Sequence, residues 1–295
     1  MPELTIITPT YNRAHCLSDC WESLKNQTCR DFQWLVSDDG STDGTDILVA
    51  QIQKANPDFC IDYIRKDNGG KHTALNAAHP YIKGNYVLIL DSDDRLTAGA
   101  VEQVLSAWNR YESDRTVGQV IFLKGYNESE PICYVQHEDT VVDTLEEPRI
   151  AVTGRDCADS FRTELFVKHP FPEFPGERFL GEGAAFFFIE LESKGVYINQ
   201  VIYLCDYRED GLTKAGKKMR LQNPLGGRYN SMVYMHPRLP LKTRLKKAML
   251  YICYSHFAGI SLGRTLTENP YKLLTCLAML PGSALYVYWK RRYFS

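Results

Sequence analysis

The sequence predicts an α/β fold built on a mostly parallel sheet with helices on both faces. Three observations carry that prediction. Strand-like and helix-like segments alternate at least three times in the first 90 residues, the order that yields parallel strands joined by helical crossovers. Each connection rich in polar residues follows a strand and not a helix. The fourth strand segment, residues 86–90 (Tyr-Val-Leu-Ile-Leu), is an unbroken apolar run, as expected of a strand buried on both faces.

Taken in order, residues 4–8 form a β-branched run that meets Pro9, and residues 16–27 follow with Leu17, Trp21 and Leu24 at helical spacing. Residues 32–37 make a second strand, ended by the turn formers Asp38-Asp39-Gly40-Ser41-Thr42-Asp43-Gly44. Residues 45–55 predict a helix closed by Asn56-Pro57. A third strand over 60–64 breaks at Asn68-Gly69-Gly70, a third helix runs over 71–82, and the fourth strand enters Asp91-Ser92-Asp93-Asp94. In open α/β sheets ligands bind beyond the carboxyl ends of the strands, so the clusters near 8–13, 38–43, 65–71 and 91–94 should converge in one crevice. Residues 117–123 predict a further strand, and a polar interruption covers 127–148.

Composition bounds the partners. The 295 residues hold 34 Lys+Arg and 36 Asp+Glu, with 44% hydrophobic and 24% charged residues, as in ordinary globular proteins. The net charge of −2 hides an asymmetry: residues 1–213 carry 19 basic and 35 acidic side chains, whereas residues 214–295 carry 15 basic and one acidic, Glu268. An acidic body with a basic tail implies separate partners for each. The body is too acidic for a phosphate-coating surface, and no nucleic-acid-binding pattern is present, so nucleic acid is not an expected partner. Nine scattered cysteines without a CxxC pair read as reduced thiols, and Met1-Pro2-Glu3 leads straight into a strand. The expected location is cytoplasmic.

Several carboxylates crowded at one strand end repel each other unless a cation compensates them, so Asp91-Ser92-Asp93-Asp94 points to a hard divalent ion, Mn²⁺ or Mg²⁺, of the kind that bridges substrate phosphates. Helix capping by Asp94 is the bland alternative. Asp39, Ser41, Asp43 and Gly44 imitate a calcium loop, but position 12 is Ala50 where a bidentate Glu is needed. A carboxylate after the second strand suits hydrogen bonding to a nucleotide's base or ribose; a plain turn is the alternative.

Thr8-Pro9-Thr10-Tyr11-Asn12-Arg13, Asp38-Asp39-Gly40-Ser41-Thr42-Asp43 and Asp91-Ser92-Asp93-Asp94, in this order and spacing, resemble the signature of glycosyltransferase family 2, bacterial nucleotide-sugar transferases of GT-A fold. The resemblance covers residues 3 to about 125, and 150–213 more loosely. It implies a GT-A catalytic domain over 1–213, with a nucleotide-sugar half at 1–125 and an acceptor half at 126–213. It further implies that Thr8, Pro9, Thr10, Tyr11, Asn12 and Arg13 cradle the nucleotide and that Asp39 reads the uracil ring of a UDP-sugar. Arg65 and Lys71 would lie near base and diphosphate, with Lys71 replacing the arginine often found there. Asp91 and Ser92 would contact the donor, and Asp93 the metal.

The family's general base is an Asp or Glu shortly before an aromatic helix, and Glu182 in Gly181-Glu182-Gly183-Ala184-Ala185-Phe186-Phe187-Phe188 fits that place. Its apolar setting favours the neutral carboxyl, the direction a base needs; Glu177 and Glu190 are rivals. Arg208, in Tyr207-Arg208-Glu209-Asp210-Gly211, could approach a phosphate or the acceptor. The Gln-x-x-Arg-Trp motif of processive synthases is absent, so transfer of a single sugar is expected. One displacement, with Glu182 deprotonating the acceptor hydroxyl, implies inversion.

The C-terminal region, 214–295, is basic and apolar, and 273–289 holds 17 residues without a charge between basic flanks. Pro281-Gly282 should break it, which leaves a helical element lying in the interface of an anionic membrane or packing on protein. A membrane site would put a lipid-linked saccharide of cell-surface polysaccharide synthesis within reach, at the inner face of the plasma membrane. A nucleotidylyltransferase shares a strand-end metal site but needs a Gly-rich basic phosphate loop after the first strand. A membrane-tethered nucleotide-sugar binder without catalysis is the remaining alternative.

Overall fold

The computed structural model describes all residues except 56–57, 147–148, 152–155, 206–211 and 295. Two compact units are present, one formed by residues 1–170 and 188–207 and the other by 171–187 and 208–295.

The first unit begins as the sequence predicts: β1 (Leu4–Thr10), α1 (Ala14–Lys25), β2 (Phe32–Asp38), α2 (Thr45–Ala55), β3 (Cys60–Arg65), α3 (Lys71–Ala78) and β4 (Tyr86–Ile89). The third helix stops at Ala78, and a short 3-10 turn with Pro80 inside takes up residues 79–81. There follow β5 (Arg95–Leu96), α4 (Ala100–Tyr111), β6 (Val117–Gly125), β7 (Cys133–Val135), β8 (Val141–Val142), β9 (Arg149–Ala151), β10 (Cys157–Arg162) and α5 (Thr163–Lys168). Helix α6 (Gly183–Glu192) leads into β11 (Lys194–Leu204).

The large sheet runs β3-β2-β1-β4-β10-β6-β11-β5. Its first four strands are parallel, β10 enters antiparallel between β4 and β6, and β6 pairs β11 in parallel. Every residue of β1 and β2 is buried, as expected of strands covered on both faces. One face packs Leu17, Cys20 and Leu24 of α1, Val49 and Ile52 of α2 and Val104 and Trp108 of α4 against Leu4, Ile6, Trp34 and Leu88. The other face takes α3, anchored by the Ser37 hydroxyl donating to the Ala74 carbonyl at 2.7 Å. Because β2 and β3 lie on one side of β1 and β4 on the other, the order reverses between β1 and β4. That point opens a crevice at the strands' carboxyl ends.

The second unit is helical: the start of α6, then α7 (Leu212–Gln222), α8 (Pro224–Val233), α9 (Leu241–Phe257), α10 (Leu262–Thr267) and α11 (Lys272–Phe294). Helix α11 runs straight through Pro281, where the sequence predicted a break. Gly282 accounts for this: a side chain there would strike Ile252 and the Met249 carbonyl, so its absence lets α11 close on α9. Leu274 and Ala278 join the core formed with Tyr251 and Ile252, and Trp289 joins Cys253 and Tyr254. This packing offsets the roughly 3 kcal/mol that an interior proline costs a helix. The opposite face of α11 is bare, with Leu273, Leu277 and Leu280 63–85% exposed and Val287 and Tyr288 about half exposed. No helix among the described residues is long and apolar enough to cross a membrane.

Candidate active site

The loops after β1, β2, β3 and β4 do converge. Asn12 takes a left-handed conformation, φ +53°, which asparagine tolerates better than most residues. From there its amide N–H donates to Ser41 Oγ at 2.8 Å and its side-chain oxygen accepts the Thr42 N–H at 2.8 Å. Asp43 fastens the same two loops by accepting the Ala14 N–H at 2.9 Å. Burial opposes its charge, but this bond and those from Thr45 hold its carboxyl below the usual range. Arg65 reaches over from β3 to the Ser41 carbonyl at 2.6 Å. Within the first loop, Tyr11 stands exposed, whereas Thr8, Pro9 and Thr10 are buried and the Thr8 hydroxyl accepts the Trp34 indole N–H at 2.9 Å. The Thr8 side chain therefore faces the core.

Asp39 is 3% exposed and holds the loop 66–70. One carboxylate oxygen takes Lys66 Nζ and the Gly69 N–H, both at 2.9 Å; the other takes the Gly70 N–H at 2.6 Å and Asn68 Nδ2 at 3.1 Å. A carboxylate has about four lone-pair sites, so these donors nearly saturate it. The loop borders an open cavity of about 550 Å³ lined by Gly40, Arg65, Lys66, Asp67 and Asn68. Gly40 is required there: at φ +87° a side chain would press on the Lys66 carbonyl and the Asn68 N–H.

The acidic cluster after β4 is matched by three cations: Lys71 of α3, Arg13 of the loop after β1 and Lys124 of β6. Lys71, the first residue of α3, is ion-paired with Asp91, and Arg13 lies 3.8 Å from Asp93. Burial would raise the Asp91 carboxyl, but Lys71, and Lys124 behind it, hold it below the ordinary range. Asp94 is pushed up to about 7, by burial first and then by Asp91. Tyr203 ties the cluster together: its hydroxyl accepts the Asp91 N–H at 2.9 Å and donates to Asp94 Oδ2 at 2.8 Å. Lys124 Nζ sits 4.3 Å from the Tyr203 ring centroid. Ser92 is buried.

Sequence reasoning missed Lys66, Lys124 and Tyr203. Lys66 adjoins Arg65 and was within reach of the same argument, whereas Lys124 on β6 and Tyr203 on β11 belong to no local motif.

The described residues contain no cluster of three metal-ligating side chains. Asp93 is about one quarter exposed and its contact with Arg13 is loose, so one hard oxygen donor is available. That fits an ion which takes its remaining ligands from diphosphate oxygens and water, as Mg²⁺ commonly does.

Glu182 lies in the second unit, where its carbonyl accepts the N–H groups of Ala185 and Phe186 at the start of α6. Its rival Glu177 has a structural role: its carboxylate caps α8, taking the Leu225 N–H at 2.6 Å and the Gly226 N–H at 2.7 Å. Glu190 lies on α6 within the first unit. Arg208 lies outside the described residues.

Residues 5–138 match the family Glycosyl transferase family 2. They form a family 2 glycosyltransferase domain. A Campylobacter jejuni protein, the GalNAc(5)-diNAcBac-PP-undecaprenol beta-1,3-glucosyltransferase, is 26% identical over 284 residues, which span 94% of this chain and 87% of that one. The glycosyltransferase GlyA of Streptococcus pneumoniae is 33% identical over 132 residues, 45% of this chain but 18% of GlyA. The chain likewise spans 14% of the chondroitin synthase of Pasteurella multocida. The fold is that of S. aureus TarS 1-349 in complex with UDP-GlcNAc (TM-score 0.62, 17% identity, 95% of this chain and 79% of that one) and of the mannosyltransferase PcManGT from Pyrobaculum calidifontis in complex with GDP-Man and Mn²⁺ (TM-score 0.59, 20% identity, 98% and 83%). The family 2 domain thus has GT-A architecture, and its matched segment carries the four loops of the crevice.

Proposed function

We propose that the protein transfers a single sugar from a UDP-sugar to a lipid-linked saccharide acceptor in bacterial cell-surface polysaccharide synthesis, with inversion at the anomeric carbon. The observation that carries this reading is the meeting of four strand-end loops at the switch point of the family 2 domain, where Asp91 and Asp93 lie against Lys71 and Arg13. UDP-GlcNAc in the complex of TarS supports the donor class. The undecaprenol-linked substrate in the name of the Campylobacter relative supports the acceptor class.

On this reading the cavity beside Gly40, Arg65 and Asn68 receives the base, and Lys71 leaves Asp91 to meet the diphosphate. Asp93 would hold Mn²⁺ or Mg²⁺, which when bound offsets charge growing on the leaving diphosphate. Glu182 takes the proton of the acceptor hydroxyl. The oxygen then bonds to the anomeric carbon as the bond to the nucleoside diphosphate breaks on the opposite side. The catalytic domain is 1–213, and 214–295 holds the protein at an anionic membrane surface. The bare Leu273, Leu277 and Leu280 face of α11 and the exposed Lys272, Lys290, Arg291 and Arg292 at its ends suit apolar insertion with headgroup attraction.

Calorimetry of UDP, GDP and CDP with and without Mn²⁺, on wild type and Asp93→Ala, tests the donor reading. Metal-dependent UDP binding, lost in the variant, is expected. Binding of no nucleotide under either condition would overturn it.

A further inference from the structure

The second unit carries a group of cations for which the donor reading has no use. At its centre is Lys247 on α9. Its ammonium donates to Asn230 Oδ1 on α8 at 3.2 Å and lies 4.2 Å from the ring centroid of Tyr234, the residue that ends that helix. Burial pulls the amine down to about 8, and the charged groups acting on it, Lys246 and Arg220, are both cations that lower it further. Arg220 comes from α7 and lies over Phe179 at 5.9 Å. Helices α7 and α9 therefore bring like charges together.

Two of the unit's carboxylates are engaged elsewhere. Glu177 is bound to the N-terminus of α8, and Glu268 is paired with Arg228 and Arg264. A buried cation among cations is costly unless an anion joins it, so an arrangement of this kind is a candidate functional site.

The location gives the anion a purpose. The two side chains that carry the Lys247 ammonium also border Gly181-Glu182-Gly183. A methyl group on Gly183 would collide with the Tyr234 hydroxyl, and one on Gly181 would lie 3.8 Å from the Asn230 amide. The backbone on either side of Glu182 therefore adjoins the residues that carry this basic group.

We infer that Lys247, with Arg220 and Lys246, forms a subsite beside Glu182 that binds the diphosphate of a lipid-linked acceptor. The inference rests on the acceptor role of Glu182 proposed above. Lysine suits the task, since its ammonium is a compact point charge for phosphate oxygen. The Asn230 amide stands by as a neutral donor.

The test measures binding of a polyprenyl diphosphate in neutral detergent micelles against the matching polyprenol, for wild type, Lys247→Gln and Arg220→Gln. Wild type should bind the diphosphate at least tenfold more tightly than the alcohol. Each variant should lose most of that gain while keeping its UDP affinity within twofold. Arg220, being exposed, gives a variant that folds even if Lys247→Gln does not. No gain from the diphosphate in wild type, or a gain that survives both substitutions, overturns the subsite. An equal gain with phosphatidylglycerol micelles, lost in the same variants, would assign the cations to membrane headgroups and overturn the acceptor assignment. A wild type that binds UDP but shows no diphosphate gain sinks the subsite alone. One that shows the gain without binding UDP sinks the donor reading alone.

Discussion

Replacing Asp39 by Asn separates a carboxylate that reads a nucleotide base from one that holds a loop. In the structure both oxygens are engaged by Lys66, Asn68, Gly69 and Gly70. Asn keeps one acceptor oxygen and turns the other into a donor, which must then face the N–H of Gly69 or Gly70. Hydrogen bonds to a charged group contribute about 1.5–3 kcal/mol each, and a buried donor left without an acceptor costs about 1–3 kcal/mol. Lys66 is 27% exposed, so water recovers part of its loss. Asp39→Asn should therefore destabilise the first unit by about 2–4 kcal/mol. For a unit of this size that lowers its melting temperature by roughly 5–12 °C. Denaturant unfolding monitored by tryptophan fluorescence reads the change, since Trp34 and Trp108 lie in that core. UDP affinity should fall as well, because loop 66–70 lines the cavity. A variant that melts within 1 °C of wild type yet no longer binds UDP would refute the structural role and leave Asp39 a base contact.

Two further outcomes are expected. Leu277→Glu with Leu280→Glu puts two charges on the bare face of α11 without touching its contact with α9. Sedimentation with phosphatidylglycerol vesicles should drop at least tenfold, because burying a leucine contributes about 1.5–3 kcal/mol; unchanged sedimentation would remove the membrane role of α11. Lys247→Met should raise stability at pH 7 by on the order of 1–3 kcal/mol, even though it removes a proposed binding group. The sign follows from linkage: a folded-state pKa of about 8, below that of a free lysine, means the folded protein binds fewer protons than the unfolded chain between pH 8 and 10.5. Wild-type stability should thus climb across that window and the variant's should not; parallel pH profiles would show that Lys247 carries no such penalty.

The first four strands and the loops that follow them were legible because their signals are local. Strand–turn–helix order is written in short windows such as 32–44 and 86–94, and the switch-point rule then places their loops together without any side-chain detail. The antiparallel entry of β10 between β4 and β6 was not legible, since it depends on pairings more than 30 residues apart. Tyr203 is the sharpest example: it bonds Asp91 and Asp94 from over 100 residues away, and nothing around it in sequence marks it. Pro281 misled for the opposite reason. The local rule for proline is sound, but packing of the adjacent Gly282 on α9 outweighed it.

The charge asymmetry, visible from composition alone, acquires a physical meaning from the two units. A body with 35 acidic and 19 basic residues should repel a nucleotide diphosphate. Yet its crevice gathers Arg13, Arg65, Lys66, Lys71 and Lys124 around Asp39, Asp91, Asp93 and Asp94, so cations at the strand ends cancel the field where the proposed donor would sit. These cations are already neutralised by carboxylates or backbone carbonyls, and a donor must displace those partners, as Lys71 leaving Asp91 requires. That exchange makes donor binding sensitive to anything that stabilises the empty pairs. Among the described residues Lys247 bonds the neutral Asn230 side chain and no carboxylate, so an anion arriving there would displace no ion pair. On the proposed reading the donor site would select by exchange of ion-pair partners and the acceptor subsite by attraction to unpaired cations.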